Sequence, residues 1–210
     1  MDKYECLIQN LQTNWIFYVT MICCLLMVSS SATNFASALY TFVGASMFGY
    51  FTHYVAHNYK FRENYQSSNS MLKDSPCWNW IAETMCDIFD YHDTYHHDSK
   101  VNGEFEHLLS EFGNNFFIQG IFPAFYAKLL SYVDIRIILL WGAFYATFHI
   151  LNYSFVNPKT HSDHHLNARS NYGIDIYDII CGTKHDWSDI EDYNHYSINM
   201  IILTLLLFSL

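Results

Sequence analysis

Eight histidines of this chain stand in three groups whose spacing suits metal binding. HYVAH carries His53 and His57, YHDTYHHD carries His92, His96 and His97, and HSDHH carries His161, His164 and His165. A spacing of i,i+4 puts two imidazoles on one face of a helix. At 100° per residue the last three fit inside an arc of about 100°, so all three can point at one site. The middle group is less regular. On an ideal helix His92 and His96 lie about 40° apart, but His97 turns a further ~100° away. That predicts either an irregular helix or a histidine serving a different ion. His149 adds a ninth imidazole near the end of an apolar run, with Asn152 about one turn further on.

The chemistry these residues imply is that of a metal centre with imidazole ligands. The six cysteines (Cys6, Cys23, Cys24, Cys77, Cys86, Cys181) show no C-x-x-C spacing and read as free thiols in a reducing compartment. A closed structural zinc site takes four ligands, usually including cysteine, and nine imidazoles exceed that need. They suit two metal ions, each with four or five nitrogens and a position left open for oxygen or water. Imidazole binds iron as well as zinc, so the ligand type leaves the metal open. Asp93, Asp98 and Asp163, next to the clusters, are candidate acceptors for the far N–H of a ligating imidazole, and Asn152 is a further candidate. His107, His185 and His195 fall outside the spacings and read as surface or packing residues.

Four apolar runs are placed to carry these groups: 15–32, 35–51, 115–133 and 135–153. Each approaches the ~20 residues that cross a bilayer. Over the 210 residues, 51% are hydrophobic and only 14% charged, and the charge gathers in two polar segments, 53–114 and 157–196. The expected fold is therefore an all-α membrane protein: about four transmembrane helices in two hairpins, with a helical cap on one side holding a histidine-rich dimetal site. Seven of the ten Lys and Arg fall in the two polar segments, which predicts a cytoplasmic cap. The region before the first run holds Lys3 against Asp2 and Glu5, the wrong balance for a cleaved signal peptide. The final run, 198–210, is short for a span. This divides the chain into an N-terminal segment with its first span (1–34), a catalytic region (35–195) and a C-terminal apolar helix (196–210). A net charge of −10 argues against nucleic acid as a partner.

Metal ligands at the ends of membrane helices are within reach of a lipid tail. Lipid chains offer inert C–H bonds, whose cleavage calls for an oxidising metal and O2. HxxxH, HxxxHH and HxxHH in this order make the chain resemble the fatty acid hydroxylase/sterol desaturase superfamily of membrane di-iron oxidoreductases. The segment NYGIDIYDIICGT adds to the likeness through Asn171, Tyr172, Gly173, Asp178, Gly182 and Thr183. Departures are the missing Arg after the first histidine and the missing Pro after the second histidine pair. The resemblance implies hydroxylation or desaturation of a fatty acyl, sphingolipid or sterol substrate in the endoplasmic reticulum. It also implies two iron ions, O2 as co-substrate and electrons from a separate donor such as cytochrome b5 and its reductase. Two readings from other classes stand beside it. One is a membrane zinc hydrolase, which would want a general base such as Glu beside a box. The other is a non-catalytic metal- or lipid-binding relative.

Overall fold

A computed structural model describes residues 1–32, 34–96, 105–127 and 133–208. All regular structure among them is helical. The chain enters through α1 (Lys3–Thr13), which an Asp2/Glu5 capping box starts, and α2 (Trp15–Ala32), bent 66° from it at Asn14. Asn34 then caps α3 (Phe35–Asn58) by accepting a hydrogen bond from the Ser37 amide. After it come α4 (Phe61–Ser67), α5 (Pro76–Tyr91), α6 (Phe105–Phe116), α7 (Phe122–Ala127) and α8 (Ile135–Thr147). The chain closes with α9 (Tyr153–Val156), α10 (Lys159–Leu166), α11 (Asp175–Cys181) and α12 (Tyr196–Phe208).

Helix α8 runs on through a π turn into α9, and Ile135–Val156 forms the one described helix that is by itself long and apolar enough to cross a membrane. Its 22 residues rise about 33 Å, against about 30 Å of hydrocarbon. The bent pair α1–α2 meets the same test when counted as one span. Of the four expected spans, the described helices therefore supply one outright. The arm expected over 35–51 is helical throughout, but Thr, Ser and Gly dilute its apolarity. The arm expected over 115–133 changes from α6 through a π turn into the short α7, and 128–132 lie outside the described residues. The outer faces of α2 and α12 expose Trp15, Ile16, Val19, Ile22, Leu26, Ile198, Ile201, Ile202, Leu205 and Leu206, an apolar surface larger than water-soluble monomers usually carry.

The core lies where α2, α3, α8 and α12 meet, around Phe17, Leu25, Phe42, Trp141, Phe144, Phe148, Tyr196 and Met200. The π turn after α6 and helix α8 approach very closely. A Cβ on Gly142 would stand 2.4 Å from the Gly120 Cα, so that position requires glycine, and one on Gly120 would sit tightly, 3.3 Å from the Gly142 Cα. Beside this crossing Gln119 donates to the Gly49 carbonyl (3.3 Å) and to Thr52 (3.0 Å), and accepts from the Trp141 indole (3.3 Å). These bonds tie α3, the π turn and α8 together where α3 begins to carry its histidines.

The N-terminal helix is fastened to the C-terminal part by polar bonds. Asn10 donates to Asp175 (3.0 Å) and Asn14 to the Glu191 carbonyl (2.8 Å). Asp175 also holds Lys184, with both side chains buried. Burial is the main influence on the Asp175 carboxyl and raises it above its ordinary range.

Candidate metal centre

The last turns of α3 project His53 and His57 on one face, as their spacing predicts, and their Nε2 atoms lie 3.1 Å apart. His92 is brought to them by α5, which is pinned to the chain leaving α3. Asp90 accepts from the backbone amides of Phe61 (2.9 Å) and Arg62 (2.8 Å), capping α4 from the side. Arg62 pairs with Asp87 and Glu83, and Lys60 with Asp93. The helix then opens into a π turn over His92–His96, the irregular helix that was one of the two outcomes the second group's spacing allowed. His97 and Asp98 lie outside the described residues, as does the side chain of His96.

The third group arrives from below α8. Asn157 ends α9 in the left-handed region (φ 43°), which asparagine tolerates better than most residues, and Pro158 starts α10. His164 is wholly buried and its Nε2 lies 3.1 Å from that of His57. Its Nδ1 donates to the Ser170 carbonyl at 2.6 Å, which leaves Nε2 as the lone-pair nitrogen facing the cluster. Burial, followed by the neighbouring His57, holds this imidazole neutral, with its pKa down at about 3. Neutral imidazole is the ligating form.

His53, His57, His92 and His164 each place one nitrogen within 4.8 Å of all the others. This set can hold a metal ion. Ligands 2.0–2.1 Å from a shared ion stand about 3.0–3.4 Å from one another for octahedral or tetrahedral geometry, and the two 3.1 Å separations fit that. Asp93, a candidate acceptor for a ligating imidazole, approaches His57 Nδ1 at 3.4 Å.

The remaining predicted residues fall elsewhere. His161 and His165 do not converge with His164. The 100° arc of α10 is divided between neighbouring sites, and their own Nε2 atoms lie 3.0 Å apart, with His161 also facing His149 at 5.2 Å between ring centroids. Asp163 pairs with Lys159 (3.3 Å), and Asn152 accepts from Asn199 of α12 (2.8 Å). His185 is exposed, and His195 packs edge-on to Tyr196. His107 stands in a packing position rather than on the surface. It is buried beside Glu111, which approaches His149 at 3.3 Å. The i,i+4 spacing in HLLSE was the signal that could have found the pair. None of the six cysteines is in a disulfide, matching the expected free thiols.

The segment after the third group acts as a clasp. Asp178 accepts from the amides of Tyr172 (2.8 Å) and Gly173 (3.0 Å) and from the Thr183 hydroxyl (2.7 Å). Burial is the dominant influence on this carboxyl and raises it to about 6 against those donors. Asn171, left-handed at φ 56°, donates to the Thr160 carbonyl (2.9 Å) and accepts from the His185 amide (3.0 Å). Gly182, at φ 79°, ends α11. The clasp lays Tyr172 over the cluster, its ring about 6 Å from those of His53, His57 and His164. A side chain at Gly173 would meet the Tyr50 ring at 3.1 Å.

On the side away from the clasp, a groove of about 480 Å³ opens between α3, α7 and α8. Tyr40, Gly44, Ala45, Phe48, Phe122 and Ile138 are among its almost wholly apolar lining. Along α3 its end at Phe48 is five residues, or about 8 Å, from His53. A small cavity bordered by Thr52, His53, His92, Asn115, Gln119 and Tyr145 lies in between.

Compared with known proteins, the chain matches no family model, no curated protein and no solved structure.

Proposed function

We propose that this chain is a membrane-bound lipid oxidoreductase of the fatty acid hydroxylase/sterol desaturase type. The observation that carries the proposal is the meeting of imidazoles from all three histidine groups, 111 positions apart in the chain at the extremes, in one buried cluster with ligand spacing. In this reading two iron ions are held among His53, His57, His92, His96, His97, His149, His161, His164 and His165. A di-iron centre held there would supply the oxidising chemistry: with O2, two electrons and two protons, one C–H bond would give an alcohol and water, and two adjacent C–H bonds would give an alkene and two waters.

The chain's own residues do the rest. Asp93 and the Ser170 carbonyl set which imidazole nitrogen faces the ions, Tyr172 covers them from water, and the groove along α3 receives the hydrocarbon chain from the bilayer. The apolar lining supports a lipid substrate because it offers a polar ligand almost nothing to bind. The four-span, cytoplasm-facing arrangement, residence in the endoplasmic reticulum and the need for cytochrome b5 with its reductase belong to this proposal.

One observation favours the zinc-hydrolase reading, namely a carboxylate, Glu111, beside His149. Its oxygens are directed to His149 and His107, which suits an orienting role better than that of a base on water.

The test is lipid mass spectrometry of cells expressing the parent or His164→Ala, together with the metal content of the purified protein. Iron and a new hydroxylated or desaturated lipid that His164→Ala loses are expected. Zinc, with cleavage of a lipid ester or amide, would overturn the oxidoreductase reading.

A further inference from the structure

Helix α1 has two unlike faces. Cys6 and Asn10 are buried on one of them, and Asn14 at the bend continues it. Polar bonds fasten that face to the chain from α11 onward. Lys3 donates to the Ile180 carbonyl (2.6 Å), Asn10 to Asp175 (3.0 Å) and Asn14 to the Glu191 carbonyl (2.8 Å), while Asn14 accepts from the Tyr193 amide (2.8 Å). On the other side of the helix Tyr4, Ile8 and Leu11 fall within an arc of about 60° and are 71%, 38% and 44% exposed. Trp15, 59% exposed, prolongs this apolar stripe across the bend. A shallow hollow of about 420 Å³ lies along it, bordered by Ile8, Leu11, Gln12 and Trp15. Glu5, Gln9 and Gln12 form its polar flank.

What covers the stripe follows from where it leads. Past Trp15 it runs into the exposed Ile16, Val19, Ile22 and Leu26 of α2, the outward apolar face of a membrane helix in the reading above. We propose that α1 lies in the plane of a lipid bilayer, with Tyr4, Ile8, Leu11 and Trp15 in the boundary between headgroups and acyl chains. The bend of 66° supplies the geometry: where α2 follows the bilayer normal, α1 stands within about 25° of the membrane plane. Tyr4 and Trp15, at the two ends of the stripe, have the part-apolar, part-polar rings that suit such a boundary. Lys3 is balanced by Asp2 and Glu5, so burial of the stripe drives the contact and an anionic surface is not needed. The other face of α1 holds Asp175, Ile180 and Glu191, on either side of the clasp's Asp178 and Thr183. Seating α1 on lipid therefore fixes the height at which clasp and histidine cluster stand above the bilayer. The inference rests on the membrane-bound reading of the preceding section and adds to it the lipid-facing surface that sets the depth of the centre.

The experiment maps depth in the full chain, reconstituted in nanodiscs of zwitterionic phosphatidylcholine. A fluorescent amino acid replaces Ile8 in one variant, Gln9 in a second and Ile22 in a third, all of them exposed, so that the core is untouched. Quenching is read with lipids carrying a nitroxide near the carboxyl end or near the methyl end of the acyl chain, and with iodide in the water. Position 8 should be quenched several-fold more strongly by the shallow nitroxide than by the deep one, and several-fold less by iodide than position 9 is. Position 22 should respond to the lipid nitroxides and be shielded from iodide. Equal iodide quenching at positions 8 and 9, with position 22 still in lipid, would overturn the inference and leave the membrane-bound reading standing. So would strongest quenching of position 8 by the deep nitroxide, the mark of a broken span. Shielding of position 8 from every quencher in a dimeric protein would do the same, since a second copy would then cover the stripe. Iodide quenching without lipid quenching at all three positions would overturn both.

Discussion

Glu191 allows a stability prediction that does not depend on which metal is bound. Its side chain is buried between α10 and α12, where Oε2 accepts from the Thr160 hydroxyl and Oε1 from the Tyr196 hydroxyl, both at 2.6 Å. Burial is the largest influence on it and outweighs these two donors, raising the carboxyl from 4.5 to about 7. Between those values the folded chain holds a proton that the unfolded chain has released. The stabilisation is therefore complete below about pH 4.5 and is lost as pH rises through 7. At about 1.36 kcal/mol per pH unit, the interval amounts to about 3 kcal/mol. Glu191→Gln keeps the shape, and both hydroxyls can rotate to suit an amide, but the variant has no proton to lose. Near pH 4.5 the variant should match the parent within about 1 kcal/mol, since one neutral polar group replaces another. At pH 8 it should be the more stable by up to about 3 kcal/mol. For a chain of this size that is roughly 2–4 °C of Tm per kcal/mol. The assay is thermal unfolding of both proteins in one detergent from pH 4.5 to 8, with the difference plotted so that other titrating groups cancel. A difference flat with pH, or one favouring the parent at pH 8, would refute the argument that Glu191 is held protonated by burial.

Two further substitutions test the positions that the helices create. A Cβ at Gly44 meets nothing within 4 Å, although the residue lines the apolar groove. Gly44→Phe should therefore fold like the parent, as judged by its Tm, while lowering turnover of long acyl substrates at least 10-fold relative to shorter ones, and equal loss at all chain lengths would count against the groove as the chain's route. Gly142→Val places a branched side chain against the Gly120 backbone, where even a Cβ stands at 2.4 Å, and should destabilise the protein by roughly 3 kcal/mol or more, seen as a lowered Tm or loss of the folded peak.

Local spacing made part of the centre legible. The i,i+4 pair on α3 faces one point because an unbroken helix carries it, and the poor fit of the second group to a regular helix offered an irregular turn as one of two outcomes, the one seen over His92–His96. What periodicity could not reach was the partition of α10. Its three histidines share an arc, but the neighbours on either side of that arc decide which of them meets His57 and which meets His149. Those neighbours come from α3 and α8, far off in the chain. Glu111 and His107 were hidden for the same reason, since their spacing is that of any exposed helical pair until α6 packs on α8. Apolarity alone cannot separate a helix facing lipid from one whose Ser, Thr and Gly face other helices, as α3's do at Thr41, Ser46 and Gly49.

The π turns make the limit physical. Two of the predicted ligand histidines, His92 and His149, sit in such turns, and a third turn carries Gln119 and Gly120 into the crossing with α8. A π turn holds an extra residue within the helical ladder, so every side chain beyond it is rotated by about 100° from the face that a 3.6-residue period assigns. After Phe148–Asn152 the chain must still deliver Tyr153 beside His161, with ring centroids 4.1 Å apart, while His149 keeps its place beside Glu111. Those two side chains, four residues apart, still lie side by side with ring centroids 5.4 Å apart, and both meet His161. The irregular turn lets one stretch serve α6 and α10 together. Local rules are expected to give way at a functional site, and here they do so at the residues that would have to be aimed at the metal.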